Sequence, residues 1–173
     1  TGSWANFESD NFQLVSLNAA RFDTVKHLAT PIVSDAKIGL QQLSEALGDW
    51  KAPDNWYQKA IQERTAWEAH VQKQSGPTNQ EEPSYAHAVG AVYRNADPSD
   101  IVVTAAGGLV GEVVQVWKPK QINTFETEWG FSCMGYEISG ALGIKMAKPD
   151  QDVVVFLGDG SYLLSNSDIY SSV

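Results

Sequence analysis

The sequence has little cysteine, little basic charge and no long apolar run. Cys133 is the only cysteine among 173 residues, so no disulfide can form within the chain, as is usual in a reducing cytosol. Lys and Arg number 12 against 21 acidic residues, and the formal charge of −9 argues against binding to nucleic acid or anionic membrane. No apolar run approaches roughly 20 residues, so no transmembrane helix is predicted. Residues 1–5 lack the features of a signal peptide, and we expect a cytoplasmic protein.

The composition is that of a globular protein, with 43% hydrophobic and 19% charged residues. The first segment, residues 1–48, predicts a strand and then a helix. Residues 12–17 alternate apolar and polar side chains, which predicts a strand. Ser34 is placed to cap the helix that follows, and Gly48 is placed to end it. The apolar stripe of that helix has spacings of three and four: Val33, Ala36, Leu40, Leu43 and Leu47.

Residues 49–83 predict a helical linker. A turn-like break at 49–54 leads into a helix over 55–73, whose charged side chains are most simply solvated. Residues 74–83 have no periodicity and contain several glycine, proline and polar residues that break regular structure. We therefore expect a second domain to open after residue 83.

Residues 84–173 alternate helices with apolar strands. The pattern predicts a helix over 84–96, strands at 101–104 and 152–157, a helix within 130–148, and a last helix beginning near Ser165. Continuous apolar strands between helices indicate an α/β fold with a doubly wound parallel sheet. Such a domain normally has more strands than these, so we expect the chain to be a fragment of a longer protein with an incomplete fold.

Glycine-rich loops follow both strands of the second part. In open α/β sheets ligands bind at the carboxyl ends of strands, where glycines let backbone N–H groups approach a phosphate. Gly158-Asp159-Gly160-Ser161 adds a carboxylate to one such loop. Since a diphosphate and a carboxylate share a site comfortably only with a cation between them, the loop indicates Mg²⁺ held by Asp159. The alternative is that Asp159-Gly160 forms a plain turn.

A longer pattern makes the diphosphate hypothesis more specific. Gly130 to Gly135, Gly140 to Gly143, Pro149 and then Gly158 to Ser161 resemble the diphosphate-binding domain of thiamine-diphosphate-dependent enzymes. The resemblance implies thiamine diphosphate and Mg²⁺ as cofactors, with residues 1–48 ending a central Rossmann-like domain and 84–173 beginning the diphosphate-binding domain. It implies that Asp159 binds the metal, that Met134 props the thiazolium ring, and that the remaining cofactor-binding residues are Gly107, Gly108, Gly135, Gly158, Gly160 and Ser161.

Within that superfamily, residues 1–5, 17–23 and 127–137 are similar to the enzymes that open a cyclic 1,2-dione in myo-inositol catabolism. The resemblance implies hydrolysis of a ring C–C bond to a 5-deoxyuronic acid by a homodimer or homotetramer. The family's activating Glu and the Asn that completes the Mg²⁺ shell have no counterpart in this sequence. We therefore expect no catalytic residue in this segment and no activity from the 173-residue chain alone.

Two other functions stay open at this point. One is another enzyme of the superfamily, such as an acetolactate-synthase-like carboligase or a 2-oxo-acid decarboxylase. The other is a Mg²⁺-diphosphate binding module without catalysis. Among the remaining reactive side chains, we expect the isolated histidines to have packing or surface roles and Cys133 to be a small buried residue. Ser132 does not lie in the Gly-x-Ser-x-Gly motif of hydrolases, because Met134 stands where the motif has its last glycine.

Overall fold

The computed structural model describes residues 12–171. The resemblance drawn from residues 1–5 therefore falls outside the described range. The chain divides into two compact units, and the boundary lies between Tyr57 and Gln58.

The first unit contains a pair of parallel strands with helices between and after them. Its elements are β1 (Val15–Asn18), α1 (Arg21–Thr24), a 3-10 turn (Lys26–Leu28), β2 (Thr30–Val33) and α2 (Ala36–Leu47). In the β1–β2 pair, Val15 lies opposite Thr30 and Asn18 opposite Val33. The strand predicted at 12–17 is present but begins at Val15. β2 was not predicted, since Pro31 lies in the middle of it and proline is unfavourable in strands away from sheet edges.

Asp35, and not the predicted Ser34, caps α2. The Asp35 carboxylate accepts hydrogen bonds from the backbone N–H groups of Lys37 (2.9 Å) and Ile38 (3.2 Å). Ser34 instead donates its hydroxyl to the Asp35 carbonyl, at 3.0 Å. A carboxylate one residue nearer the helix satisfies two free N–H groups and interacts favourably with the helix dipole. Gly48 ends the helix as predicted, with a φ of 54° that favours glycine.

Two further helices precede the sheet of the second unit. They are α3 (Asp54–Ser75) and α4 (Tyr85–Asn95), and both confirm helices expected from the sequence. The Ser84 side chain accepts from the His87 backbone N–H, and the His87 ring accepts from the Ser84 backbone N–H, which forms a capping box. This contact gives His87 a structural role at the start of α4.

The second unit is built on a three-stranded parallel sheet of strand order β4-β3-β5. Val102 of β3 lies opposite Phe125 of β4 on one side and opposite Val154 of β5 on the other. The elements that form and follow this sheet are β3 (Ile101–Thr104), α5 (Gly108–Val116), β4 (Phe125–Thr127), α6 (Tyr136–Ala147), β5 (Val153–Val155), α7 (Asp159–Ser165) and α8 (Ser167–Tyr170). The parallel sheet with flanking helices confirms the predicted α/β class, in a small and incomplete form.

The core of this unit surrounds the central strand. Every residue of β3 is buried, as expected for a strand with a neighbour on each side and helices against its faces. The Trp117 ring packs edge-on against Tyr93 and Phe156, with ring centres 5.3 and 5.9 Å away. The buried cluster behind the sheet consists of Val71, Ala86, Val89, Val102, Val113, Val116, Trp117 and Phe156. This packing fixes where the carboxyl end of β3 lies.

The last helical region begins earlier than its sequence pattern suggested. A helix was expected near Ser165, whereas α7 begins at Asp159 and ends at Ser165, with α8 directly after it. The Asp159 carboxylate accepts from the Gly160 backbone N–H at 2.9 Å. An acidic residue in the first turn favours helix formation there despite the flanking glycine. The Gly-Asp-Gly segment is therefore the start of a helix and not an isolated turn.

Candidate functional site

The loops that follow β3, β4 and β5 meet at one edge of the sheet, because parallel strands end at the same edge. They enclose a cavity of about 610 Å³, a volume typical of small-molecule sites. Its lining consists of Tyr85, Ala106, Gly107, Gly108, Leu109, Ser132, Met134, Leu157, Gly158, Asp159, Gly160 and Ser161. All of the predicted site residues lie in this lining except Gly135. That glycine is buried at the start of α6, next to Met134.

The β3–α5 loop forms one wall, and it is made mostly of backbone. Gly107 has a φ of 89° and a ψ of −174°, a conformation open only to glycine, and it directly precedes α5. Gly107, the N-cap residue of α5, has no side chain that could accept from the N–H groups of the first turn. A side chain added at Gly107 or Gly108 would meet no atom within 4 Å, so the space above these glycines is open. Backbone amides at a helix start without an N-cap side chain, beside open space, fit a phosphate group.

The Gly158-to-Ser161 segment forms the opposite wall. Asp159 is exposed and is the only charged residue among the described lining residues. No cluster of three or more His, Cys, Asp or Glu side chains suited to a metal occurs within residues 12–171. One carboxylate together with phosphate oxygens and water is nevertheless a usual Mg²⁺ environment. The donor set therefore fits Mg²⁺ bound jointly by Asp159 and a diphosphate.

Met134 reaches across the cavity to this segment. A Cβ added at Gly160 would lie 2.8 Å from the Met134 Cε, so the methionine methyl group rests against the position that a side chain would take. Met134 is half-exposed, and with Leu157 it supplies apolar surface inside the cavity. The two walls are thus backbone and polar groups, with an apolar ledge between them.

Gly160→Ala should move Met134 without unfolding the protein. The methyl group at 2.8 Å collides with the end of a flexible side chain, which can turn away at low cost. We expect thiamine diphosphate affinity to fall about 3- to 10-fold, a loss of about 1 kcal/mol, with Tm changed by less than about 3 °C. Tryptophan fluorescence titration and a thermal melt measure both quantities.

Gly143→Ala in α6 is the matched control, since nothing lies within 4 Å of its added methyl group. It should leave cofactor affinity unchanged. Equal affinity for the wild type and Gly160→Ala would mean that the position of Met134 does not matter to the ligand.

Glu128 shapes the loop that presents Ser132 and Met134 to the cavity. Its carboxylate accepts from the backbone N–H groups of Phe131 (2.8 Å) and Cys133 (2.7 Å). Ser132, between these two donors, has a φ of 53°, an uncommon left-handed conformation. The N–H groups of Cys133 and then Phe131 lower the pKa of the Glu128 carboxyl below its ordinary value of 4.5, because they stabilise its charged form.

Glu128→Gln should loosen this loop in a pH-dependent manner. Because the folded-state pKa of Glu128 is depressed, its stabilising effect is fully present above a pH of about 4.5 and is lost as the pH falls through the lower folded-state pKa. We expect faster amide hydrogen exchange at Phe131 and Cys133 in the variant at pH 7. The difference in Tm between wild type and variant should shrink as the pH is lowered below about 4.5.

Glu126→Gln, on an exposed side chain of β4, removes the same charge outside the loop and serves as the control. A Tm difference for Glu128→Gln that is constant from pH 7 to pH 3 would contradict the proposed hydrogen-bonded loop.

The prediction that Cys133 is buried was wrong. Cys133 is exposed in the Glu128 loop, three residues before α6 begins. Its backbone N–H donates to the Glu128 carboxylate. Partial desolvation and then the nearby Glu128 charge raise the pKa of the thiol above its ordinary value of 9.0. The shift is opposite to the one that activates a nucleophilic cysteine.

Glu137 is the polar residue of this region that sequence reasoning missed. Its side chain is fully buried and accepts hydrogen bonds from the Gly135 N–H (2.9 Å), the Ser161 hydroxyl (3.1 Å) and the Ala106 N–H (3.2 Å). One signal was available, namely a single acidic residue in the otherwise uncharged, small-residue first half of α6. The hydrogen-bond partners themselves are far apart in sequence and could not be read from it.

Within residues 12–171, no helix is both long and apolar enough to cross a membrane.

Comparison with known proteins connects this cavity to one cofactor. Residues 105–173 match the family described as thiamine pyrophosphate enzyme, C-terminal TPP binding domain. The 3D-(3,5/4)-trihydroxycyclohexane-1,2-dione hydrolases of Geobacillus thermodenitrificans and Lacticaseibacillus casei are 32% and 33% identical to the chain over 93% of it. The hydrolase of the same name from Bacillus velezensis is 31% identical over 100% of the chain. The chain spans 28% to 31% of the length of these relatives.

The matched segment holds nearly all of the cavity lining, from Ala106 to Ser161. It includes the glycine wall before α5, the Met134 ledge and the Gly-Asp-Gly segment, the features that the sequence pattern assigned to a diphosphate cofactor. Residues 105–173 are therefore similar to the C-terminal thiamine-pyrophosphate-binding domain of thiamine pyrophosphate enzymes.

Proposed function

We propose that the natural gene product carrying this chain is a thiamine-diphosphate- and Mg²⁺-dependent hydrolase of 3D-(3,5/4)-trihydroxycyclohexane-1,2-dione. The product would be 5-deoxy-glucuronate, formed by cleavage of a ring C–C bond in myo-inositol catabolism. Relatives of that name match the chain along 93% to 100% of its length, which supports the substrate. The cavity with its glycine wall and Asp159 is the observation that carries the cofactor assignment.

Charge balance supports the Mg²⁺ requirement. The described lining holds no lysine or arginine, and its one charged side chain is the Asp159 carboxylate. The buried Glu137, which accepts from the lining residue Ser161, is a further acidic side chain close to the cavity. A diphosphate placed in this cavity would meet no cationic side chain among the lining residues, so a bound divalent cation is needed to offset the repulsion.

The residues of this chain bind and orient the cofactor in the proposed enzyme. Gly107 and Gly108 offer backbone N–H groups to the diphosphate, Asp159 binds Mg²⁺, and Met134 supports the ring system. Thiamine diphosphate, when bound, supplies the electron sink for C–C bond cleavage. Gly158, Gly160 and Ser161 keep the Asp159 segment close to the diphosphate, and Gly135 starts the helix behind Met134.

The proposal also covers the domain organisation of the protein and its location in the cell. Residues 1–48 would end a central Rossmann-like domain, 49–83 would form a helical linker, and 84–173 would begin the diphosphate-binding domain. The family match from residue 105 onward supports the third assignment. A free thiol at Cys133, the chain's single cysteine, is in keeping with a cytoplasmic enzyme.

Assembly as a homodimer or homotetramer is a further part of the proposal. Apolar side chains near the cavity stand out from the surface: Phe131 is 90% exposed and Leu163 is 69% exposed. Clusters of exposed apolar side chains mark surfaces that other protein elements cover. Light scattering coupled to size-exclusion chromatography of the natural gene product measures the subunit number, and a monomer would contradict this part.

Substrate turnover tests the central proposal. The natural gene product is stripped with EDTA, resupplied with thiamine diphosphate and Mg²⁺, and offered the cyclic dione, pyruvate and other 2-oxo acids. We expect dione consumption only when both cofactors are present. Turnover of pyruvate without dione hydrolysis would indicate a carboligase or decarboxylase instead. Cofactor binding without any turnover would indicate a diphosphate-binding module.

A further inference from the structure

The Glu137 carboxylate is bonded to three separate segments around the cofactor cavity. Its Oε1 accepts from the Ala106 N–H, in the loop after β3, and from the Ser161 hydroxyl, in α7. Its Oε2 accepts from the Gly135 N–H, directly before α6 and next to Met134. These segments are the glycine wall, the Gly-Asp-Gly wall and the base of the methionine ledge. One side chain therefore joins the parts of the cavity that would hold the diphosphate.

Both oxygens of the Glu137 carboxylate act as hydrogen-bond acceptors here. Each of its three partners is a donor, and a charged carboxylate is acceptor-only. The partners in the described part of the chain are two backbone N–H groups and a hydroxyl, none of them charged. Burying a charge without a cation is costly unless hydrogen bonds satisfy it, so the three bonds are what retain Glu137 in this position.

We propose that Glu137 is a positioning residue that sets the affinity of the cavity for a diphosphate by holding its two walls and the Met134 ledge together. This inference rests on the proposed function. The N–H groups before α5 bind an anion well only if the loop is already in place, since ordering it on binding would cost affinity. Ala106 immediately precedes Gly107, so its bond to Glu137 holds the glycine wall at its base.

Glu137→Gln is the informative substitution because it keeps the shape and removes the charge. The amide has one acceptor oxygen and one NH₂ group. In either orientation of the amide, its NH₂ group faces a backbone N–H, either that of Ala106 or that of Gly135. The hydrogen bond from that N–H to residue 137 is then lost. A substitution that only weakened the fold would lower Tm and leave the ligand affinity of the folded protein intact.

The experiment measures binding in the natural gene product at saturating Mg²⁺. Tryptophan fluorescence reports the Kd for thiamine diphosphate and, separately, for inorganic pyrophosphate. Hydrogen exchange reports the protection of the Ala106 and Gly135 amides. We expect Glu137→Gln to raise both Kd values at least 10-fold and to speed exchange at these amides. The kcat at saturating cofactor should change by less than about 3-fold. Glu112→Gln, in α5 and outside the cavity lining, should change none of these.

The other possible results of these measurements also test the role of Glu137 or the proposed function. Unchanged Kd values in Glu137→Gln would overturn the proposal. If that variant does not fold, Glu137→Asp keeps the charge on a shorter side chain, and an unchanged Kd for pyrophosphate would likewise overturn it. A wild type that binds pyrophosphate but not thiamine diphosphate would refute the proposed function, while the pyrophosphate Kd would still test Glu137. A wild type that binds neither would refute both.

Discussion

Asp159→Ala should abolish the Mg²⁺-dependent part of thiamine diphosphate binding. Asp159 is the only carboxylate among the described lining residues, so its loss removes the one anionic side chain that these residues could offer a metal. Altering residues behind the ligands of a metal typically costs 10- to 100-fold in metal affinity. The loss of a direct ligand should therefore weaken cofactor affinity by more than about 100-fold.

The measurement is a fluorescence titration with thiamine diphosphate at several Mg²⁺ concentrations. The variant should show weak binding that no longer responds to Mg²⁺. Asp150→Ala removes the same charge from an exposed turn before β5 and should bind like the wild type. Affinity that remained Mg²⁺-dependent in Asp159→Ala would refute the assignment of Asp159 as a metal ligand.

Gly90→Ala should be strongly destabilising. Gly90 is buried in α4, and a Cβ there would lie 2.1 Å from the backbone carbonyl oxygen of Ser75, at the end of α3. A backbone atom cannot rotate away as a side chain can. The Arg94 guanidinium also donates to that same carbonyl, so the two helix segments must separate and lose this bond. Overpacking of this kind costs about 3 kcal/mol or more.

A loss of about 3 kcal/mol corresponds to a fall in Tm of roughly 6 to 12 °C for a chain of this size. Thermal unfolding followed by circular dichroism measures it. Gly111→Ala, on an exposed face of α5 with no atom within 4 Å, should be neutral or stabilising by up to about 1 kcal/mol. Similar Tm values for the two alanine variants would mean that α3 and α4 are not in the close contact described.

Local patterns predicted the parts of the fold that local physics controls. Ile101 to Val103 is an uninterrupted apolar run, and such a run between helices is typical of a strand covered on both faces, as β3 is. Gly48 could be recognised as a helix end because few other residues adopt its backbone conformation. The residues around Gly107 and Asp159 could be placed at one sheet edge because parallel strands end together.

Other features depended on contacts that a sequence pattern does not contain. Cys133 looked like a small core residue, yet its backbone N–H is held by Glu128 in a loop where the residue is exposed. α5 contains four valines, which favour strands, but it is helical and buries three of them against the core. The competing local preference was overridden by packing.

The sequence by itself determined the α/β class and the parallel strands, and it favoured a diphosphate-type loop, since each pattern depends on residues adjacent or nearly adjacent in the chain. Only the tertiary structure decided that Glu137 is buried and which groups it bonds. Its partners Ala106 and Ser161 lie 31 and 24 residues away. A charge is retained in a core only where distant segments bring it enough donors, and that condition is a property of the folded chain.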